Sequence, residues 1–345
     1  MINVLIVDDS PTLRHLIRTI LTTDPELNII GEARNGEEAV SMVARLHPDV
    51  VTMDIQMPHM DGYEAIRRIM SENPVPIVVL TSTESDIRLG ATYKGAESGA
   101  LMVLGKPRGL PADGPEAVEL INMVKAMADV KVIRRVWKVQ ERPEATAKGH
   151  AIRYAPLSIP YRIVAVGTST GGPPALRTVL GELPATFPVP VVLVQHISKG
   201  FTEGLARWLN ETIALRVKLA EAGESLLAGT AYIAPDDVHL QVTGQGKADL
   251  LQESPMDGHR PSVTALFNSV AKQYGRGAVG VLMTGMGRDG ANGLYAMKQE
   301  GAYTIAQDEA SSIVFGMPKE AINMGAASEV LALQKIGQKI KELIP

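Results

Sequence analysis

Residues 162–174 read RIVAVGTSTGGPP, and this stretch decides how the second half of the chain is read. Arg162–Val166 has the composition of a buried strand. Gly167-Thr168-Ser169-Thr170-Gly171-Gly172 has that of a sharp turn, and Pro173 and Pro174 suit the opening of a helix. The turn fits G-x-S-x-G in the strand–turn–helix context which that motif needs. Ser169 would then lie at a helix N-terminus, where free N–H groups can hold an oxyanion. A glycine-rich strand–helix turn can instead cradle a phosphate or dinucleotide. That reading expects an acidic residue at the end of the next strand, Val189–Val194. The chain has Gln195-His196 there, and no G-x-x-x-x-G-K-[ST] occurs.

A serine nucleophile needs a base, and a base needs an orienting carboxylate. Of seven histidines, His15, His47 and His59 fall in the first third and His150 in a linker. His239, in a Val-His-Leu run, reads as structural, and His259, before Arg260-Pro261-Ser262, is the weaker candidate base. His196 is favoured because it ends a strand, as Ser169 does. A third strand, Ala278–Met283, runs into Thr284-Gly285-Met286-Gly287-Arg288-Asp289-Gly290. Asp289 there is either an ordinary cap of the following helix or the third member of a triad. Ser, His, Asp is not the order of ordinary α/β-hydrolases, so such a triad would be a convergent arrangement. Further strands are expected at Ala231–Ile233 and Ala302–Ile305, giving a second α/β pattern.

Working back toward the N-terminus, 141–160 is rich in Pro, Ala and polar residues and reads as a linker. Before it, Pro115–Gln140 has a helical apolar pattern that turns basic at Lys131, Arg134, Arg135 and Lys138, most simply a solvated extension of a last helix. The first third alternates strands (Ile2–Val7, Ile29–Ala33, Val50–Met53, Ile77–Leu80, Leu101–Leu104) with helices opening at Ser10-Pro11, spanning Gly36–Arg45 and spanning Tyr63–Met70. That rhythm predicts a parallel sheet covered on both faces. Its strand ends collect Asp8, Asp9 and Asp54, then Thr81 and Ser82, then Lys106. Three carboxylates in one crevice repel unless a cation lies among them, and hard oxygen ligands suit Mg²⁺. A metal, a hydroxyl and an ammonium can stabilise a phosphoryl group in transfer, with Asp54 as its acceptor.

Composition narrows the class. The chain has no cysteine, which excludes disulfides, a thiolate nucleophile and Cys-ligated metals, and fits a reducing compartment. Only 4% of residues are aromatic, so the cores must be aliphatic. The net charge of −4 does not suggest nucleic acid as the main partner. Met1–Ser10 lacks the basic start and long apolar stretch of a signal peptide, and no run approaches the ~18 apolar residues of a membrane span. At 345 residues, two domains of ordinary size are expected.

Asp8-Asp9, Asp54 with Met57-Pro58 and Asp61-Gly62, Thr81-Ser82 and Lys106-Pro107, in that order, resemble response-regulator receiver domains over about residues 1–125. The resemblance implies a flavodoxin-like (βα)5 fold, with Mg²⁺ held by Asp9, Asp54 and the backbone carbonyl of Gln56, Asp8 assisting. Many receivers carry an aromatic switch residue three positions before the lysine, where this chain has Val103. Gly-Thr-Ser-Thr-Gly-Gly, Val-Gln-His and Thr-Gly-Met-Gly-Arg-Asp-Gly resemble the catalytic domain of the chemotaxis methylesterase family, CheB, from about residue 159 to 345. Residues 126–158 would be a helical extension and linker.

The implied architecture is a receiver followed by a doubly wound parallel-sheet α/β hydrolase domain with a Ser-His-Asp triad. Carried over residue by residue, Ser169 is the nucleophile, His196 the base and Asp289 its partner, with backbone N–H groups near Thr170 and Met286 as the oxyanion hole. The implied substrates are γ-glutamyl methyl esters on the cytoplasmic helices of chemoreceptors, with deamidation of receptor glutamines by the same acyl chemistry. A chemotaxis histidine kinase would be the phosphodonor, and the location cytoplasmic. The rival is a phosphorylation-controlled binding module such as a transcription factor. Such output domains are short, helical and basic, whereas this half is long and strand-rich.

Overall fold

A computed structural model describes residues 1–81, 102–107, 109, 114–128, 130 and 161–345. Ser82, Leu101, the basic stretch from Lys131 to Lys138, the 141–160 linker and His150 lie outside the described residues. The chain divides into two compact units, Met1–Val136 and Trp137–Pro345.

The first unit alternates β1 (Ile2–Val7), α1 (Pro11–Leu21), β2 (Leu27–Ala33), α2 (Gly36–Leu46), β3 (Val50–Asp54), α3 (Gly62–Glu72), β4 (Ile77–Thr81), β5 (Met102–Gly105) and α4 (Pro115–Ala128). The helix starts follow local chemistry. Ser10, Asn35 and Asp61 each accept a hydrogen bond from the backbone N–H three residues on, and Pro11 needs no donor at its position. All strands pair in parallel in the order β2-β1-β3-β4-β5. The chain reverses direction across the sheet between β1 and β3. The carboxyl ends of those two strands therefore flank the open crevice where such sheets bind ligands. Val4, Leu5, Ile6, Val50, Val51, Ile77, Val78 and Val79 are fully buried, as strands covered on both faces must be.

The second unit contains β6 (Ile163–Thr168), α5 (Gly172–Leu180), β7 (Val191–Gln195), α6 (Thr202–Thr212), β8 (Arg216–Leu219), β9 (Thr230–Ile233), β10 (His239–Val242), β11 (Ala248–Leu251), α7 (Val263–Tyr274), β12 (Ala278–Leu282), α8 (Ala291–Gln299), β13 (Tyr303–Gln307), α9 (Met317–Asn323), β14 (Glu329–Leu331) and α10 (Leu333–Leu343). Seven strands form one parallel sheet, ordered β14-β13-β12-β6-β7-β9-β8. From β6 the chain builds outward through β7, then returns to lay β12 against the other side of β6. That switch places the ends of β7, β6 and β12 side by side. On one face, Val263, Leu266, Phe267 and Val270 of α7 bury against Ile163, Ala165, Val192 and Leu282. The core is aliphatic, with Phe267 one of its few rings.

Four strands were not anticipated: β8, the antiparallel pair β10–β11, and β14. Each is three or four residues long, and all but β10 are partly exposed, so they carry too little apolar alternation to stand out. The strand expected from Val189 begins at Val191, after Pro190, and Pro190 serves only as an acceptor for Val164 N.

Candidate active site

The register of the large sheet sets the site. Thr168 at the end of β6 pairs with Gln195 at the end of β7, so Ser169 and His196 are the next residues on neighbouring strands. His196 N donates to Thr168 O at 2.9 Å, which keeps the two strand ends together. On the other side Ser169 N donates to Thr284 O at 3.0 Å, tying the turn to the loop after β12. Gly171, at φ +76°, makes the turn that lets α5 begin immediately. Gly285 permits the close approach of the β12 loop, since a Cβ there would lie 2.7 Å from Ser169 Cβ.

The third residue arrives from that loop. Asp289 Oδ2 lies 2.8 Å from His196 Nε2. The approach is close but off the line of a good N–H···O bond, and His196 Nδ1 has no hydrogen-bond partner although it is buried. A carboxylate only accepts, so this orientation assigns the N–H to Nε2 and leaves Nδ1 with the free lone pair.

Asp289 is not the cap of the helix that follows it; Gly290 holds that place in α8. Its carboxylate instead serves α7. Oδ1 accepts from Ser262 Oγ (2.8 Å) and Thr264 N (2.9 Å), and Oδ2 accepts from Val263 N (2.8 Å). The free N–H groups at the start of a helix favour an anion there. Burial pushes the Asp289 carboxyl up, but His196 and the Thr264 donors outweigh it and hold it well below the usual carboxylate range.

Of the two residues expected near an oxyanion hole, Thr170 follows Ser169 and Met286 follows Gly285, where an added Cβ would lie 2.7 Å from Ser169 Cβ. Thr170 is buried and its carbonyl accepts from Thr284 Oγ1 at 2.9 Å, while Met286 is exposed. Neither backbone N–H has an acceptor among the described residues. Gly285 O accepts from both Gly316 N and Met317 N, which fixes the loop carrying Met286.

Sequence reasoning passed over the polar residues beneath this site. Gln195 is buried; its Nε2 donates to Ser169 O (2.7 Å) and His196 O (2.8 Å), and its Oε1 accepts from Thr168 Oγ1. One amide thus ties the backbones of both residues. Its signal was a polar residue directly after the apolar run Val191–Val194. Thr284 Oγ1 accepts from Ile313 N and Val314 N, and Gln307 Oε1 accepts from Thr284 N. His239 is buried, with Nε2 3.1 Å from Ser254 O and Nδ1 accepting from Ser262 N, as a structural histidine should be. His259, the weaker candidate base, stacks on His196 with ring centroids 4.0 Å apart.

The first unit gathers its own cluster. Asp8, Asp9 and Asp54 each offer a carboxylate oxygen, all within 4.8 Å of one another. Lys106 Nζ lies 2.8 Å from Asp8 Oδ2 and 2.8 Å from Asp54 Oδ2. Arg14 donates to the carbonyls of Asp8 (2.7 Å) and Asp9 (3.2 Å), which shapes the acidic loop. Burial raises the Asp54 carboxyl, against the opposing pull of Lys106. Burial alone would lower the Lys106 ammonium, but its bonds to Asp54 and Asp8 raise it. Thr81 is buried at the end of β4, and its carbonyl accepts from Lys106 N at 2.9 Å. Gln56 N lies 3.3 Å from Asp54 Oδ1.

Comparison with known proteins agrees with both halves. Residues 164–340 match the CheB methylesterase family, and residues 4–112 match the response regulator receiver domain. A protein-glutamate methylesterase/protein-glutamine glutaminase of Nitrosospira multiformis is 44% identical over 349 residues, covering 100% of this chain and 97% of its own. One from Myxococcus xanthus is 47% identical over 342 residues, covering 98% and 96%. Among solved structures, the Thermotoga maritima CheB methylesterase catalytic domain is similar, with 41% identity and a TM-score of 0.52, over 53% of this chain and 99% of that one. Among the described residues, no helix is long and apolar enough to cross a membrane.

Proposed function

This chain belongs to the CheB methylesterase family, with a response regulator receiver domain ahead of the catalytic one, and on that premise we propose that Ser169, His196 and Asp289 are its catalytic triad and Asp54 its phosphoacceptor. It is a phosphorylation-activated protein-glutamate methylesterase, also a protein-glutamine glutaminase, acting in chemotactic adaptation. We assign the receiver to residues 1–125, the connector to 126–158 and the catalytic domain to 159–345. The observation that carries the site assignment is the meeting of His196 Nε2 with Asp289 Oδ2 one strand from Ser169, at the switch point of the sheet.

In this reading Ser169 Oγ attacks the ester carbonyl of a methylated glutamate side chain, and His196 takes the hydroxyl proton on Nδ1. The backbone N–H groups of Thr170 and Met286 receive the oxyanion; with no acceptor among the described residues, they need not break a bond to do so. Asp289 stabilises the imidazolium that results. His196 then returns the proton to the departing methanol, and a water repeats the sequence on the acyl-enzyme, freeing the glutamate. A glutamine carboxamide follows the same path with ammonia as leaving group.

The donor set of the receiver fits a hard divalent cation: three converging carboxylates, two of them buried and drawn to the Lys106 ammonium. Mg²⁺ held by Asp8, Asp9, Asp54 and the Gln56 carbonyl would neutralise charge on a phosphoryl group. Asp54 offers the attacking oxygen. Lys106, already beside it, is placed to pair with the phosphoryl oxygens, and Thr81 adds a hydroxyl. The phosphodonor is a chemotaxis histidine kinase and the substrates are methylated chemoreceptor cytoplasmic helices, which places the enzyme in the cytoplasm; neither nucleic acid nor membrane insertion enters this reading.

Methanol release from methylated receptor membranes tests the site. Ser169→Ala should abolish it and should also abolish labelling by a serine-directed fluorophosphonate, with the fold unchanged. Full methanol release by Ser169→Ala would refute the assigned nucleophile.

A further inference from the structure

His196 is held on one edge only. Asp289 approaches Nε2 off hydrogen-bond geometry, and Nδ1 has no hydrogen-bond partner among the described residues, so the plane of the ring is weakly fixed from its edges. What lies on its face is a second imidazole: the rings of His196 and His259 are 4.0 Å apart at their centroids and within 11° of parallel. We propose that His259 is a positioning residue for the hydrolysis, clamping the His196 ring against Asp289 and offering its face to the imidazolium that His196 becomes. The inference rests on His196 being the base.

The turn that carries His259 is built to hold it there. Met256 N donates to His259 O (3.1 Å) and His259 N to Met256 O (3.0 Å), closing a tight loop through Asp257 (φ 51°) and Gly258 (φ 83°). Thr264 Oγ1 donates to Asp257 Oδ2 at 3.0 Å and accepts from Gly290 N at 2.7 Å. The same threonine therefore ties the His259 turn to the loop bearing Asp289. On the far side Arg260 Nη1 anchors to Glu253 O at 3.0 Å. His196 is gripped between two groups that share one anchor.

The protonation state of His259 decides whether the stack helps. A neutral ring presents a negative π face to a neighbouring cation, whereas a second imidazolium would repel it. His259 keeps solvent exposure, yet the covering of its ring and then the neighbouring His196 lower its basicity, against the pull of Asp289 and Asp257. The charged groups around it are thus His196, Asp289 and Asp257, with Arg288 Nε 3.9 Å from Asp257 Oδ1. The lowered basicity of His259 favours the neutral ring that the stack calls for.

Three substitutions in the full-length protein test this by methanol release, with kcat and KM separated. His259→Ala removes the stack and should lower kcat roughly 10- to 100-fold, the scale of a misplaced catalytic group, with KM nearly unchanged. His259→Phe keeps a flat ring in the stack and should restore most of kcat at neutral pH. His196→Gln should be inactive. Wild-type kcat in His259→Ala overturns the proposal, as does a Phe variant no faster than Ala. Should His196→Gln keep full activity, the error lies in the assignment of the base. Should His259→Ala fail to fold, His259→Leu, which fills the space without a flat ring, takes its place beside His259→Phe: a Leu variant as fast as Phe overturns the proposal.

Discussion

Asp289→Asn is expected to damage stability as well as rate, because the carboxylate has two tasks. Oδ1 accepts from Ser262 Oγ and Thr264 N; Oδ2 accepts from Val263 N and faces His196. An amide has one oxygen. With oxygen at the first position, its NH₂ confronts Val263 N–H and forces His196 into the wrong tautomer. With oxygen at the second, the NH₂ confronts Thr264 N–H. Ser262 Oγ can rotate to accept, but one backbone donor of α7 is orphaned either way. A buried hydrogen bond to a charged group is worth about 1.5–3 kcal/mol, and that is the expected loss. For a catalytic unit of this size it lowers Tm by about 3–12 °C, at about 2–4 °C per kcal/mol.

Asp289→Ala strands all three donors and should cost at least twice as much, a large part of the ~5–15 kcal/mol that holds a domain together. The assay is scanning calorimetry of the full-length protein, following the catalytic-unit transition, beside methanol release. kcat of Asp289→Asn should fall by about 10²–10⁴, less than for loss of the serine. The charge also leaves a pH signature. The folded carboxyl is depressed, so its stabilisation is complete above the unfolded value near ~4 and fades as pH falls through the folded one. The wild-type transition should therefore drop more steeply below about pH 4 than that of Asp289→Asn. An Asn variant that melts with the wild type and works at its rate refutes the double role.

Gln195→Leu removes the amide that ties Ser169 to His196; it should destabilise the catalytic unit by about 2–4 kcal/mol and lower kcat more than it raises KM, read by calorimetry and methanol release. A variant indistinguishable from wild type would mean that the strand ends hold themselves. Asp54→Asn should keep basal esterase activity but lose the stimulation that a small-molecule phosphodonor with Mg²⁺ gives the wild type. If the stimulation survives, the phosphoryl group is accepted elsewhere.

Much of the fold was legible because its signals are local. Apolar runs of four to six residues mark the buried parallel strands, and Ser10, Asn35 and Asp61 cap helices through atoms three residues away. The edge strands β8 and β14 and the β10–β11 pair were not legible. They are only three or four residues long, and they exist because a neighbour supplies hydrogen bonds, which the sequence of a strand does not display. At the sites, Ser169 in its glycine turn and the acidic strand ends announced themselves by composition.

By itself, then, the amino-acid sequence determined the two α/β halves, the strand ends at which polar groups collect, and the family whose motifs those groups match. Only the tertiary structure decided what each group touches. Asp289 could be read as a cap for its own helix or as the partner of His196; its carboxylate caps no helix of its own and instead reaches both the start of α7 and His196. Gln195 reads as the residue before a histidine, yet it joins two strand ends. His259 lies 63 residues after His196 and stacks on it. Each of these contacts joins segments far apart in the chain, and distance in space is set by the order in which the sheet is assembled. Once β12 returns beside β6, the loops that follow it must converge on Ser169 and His196, whatever their separation in sequence.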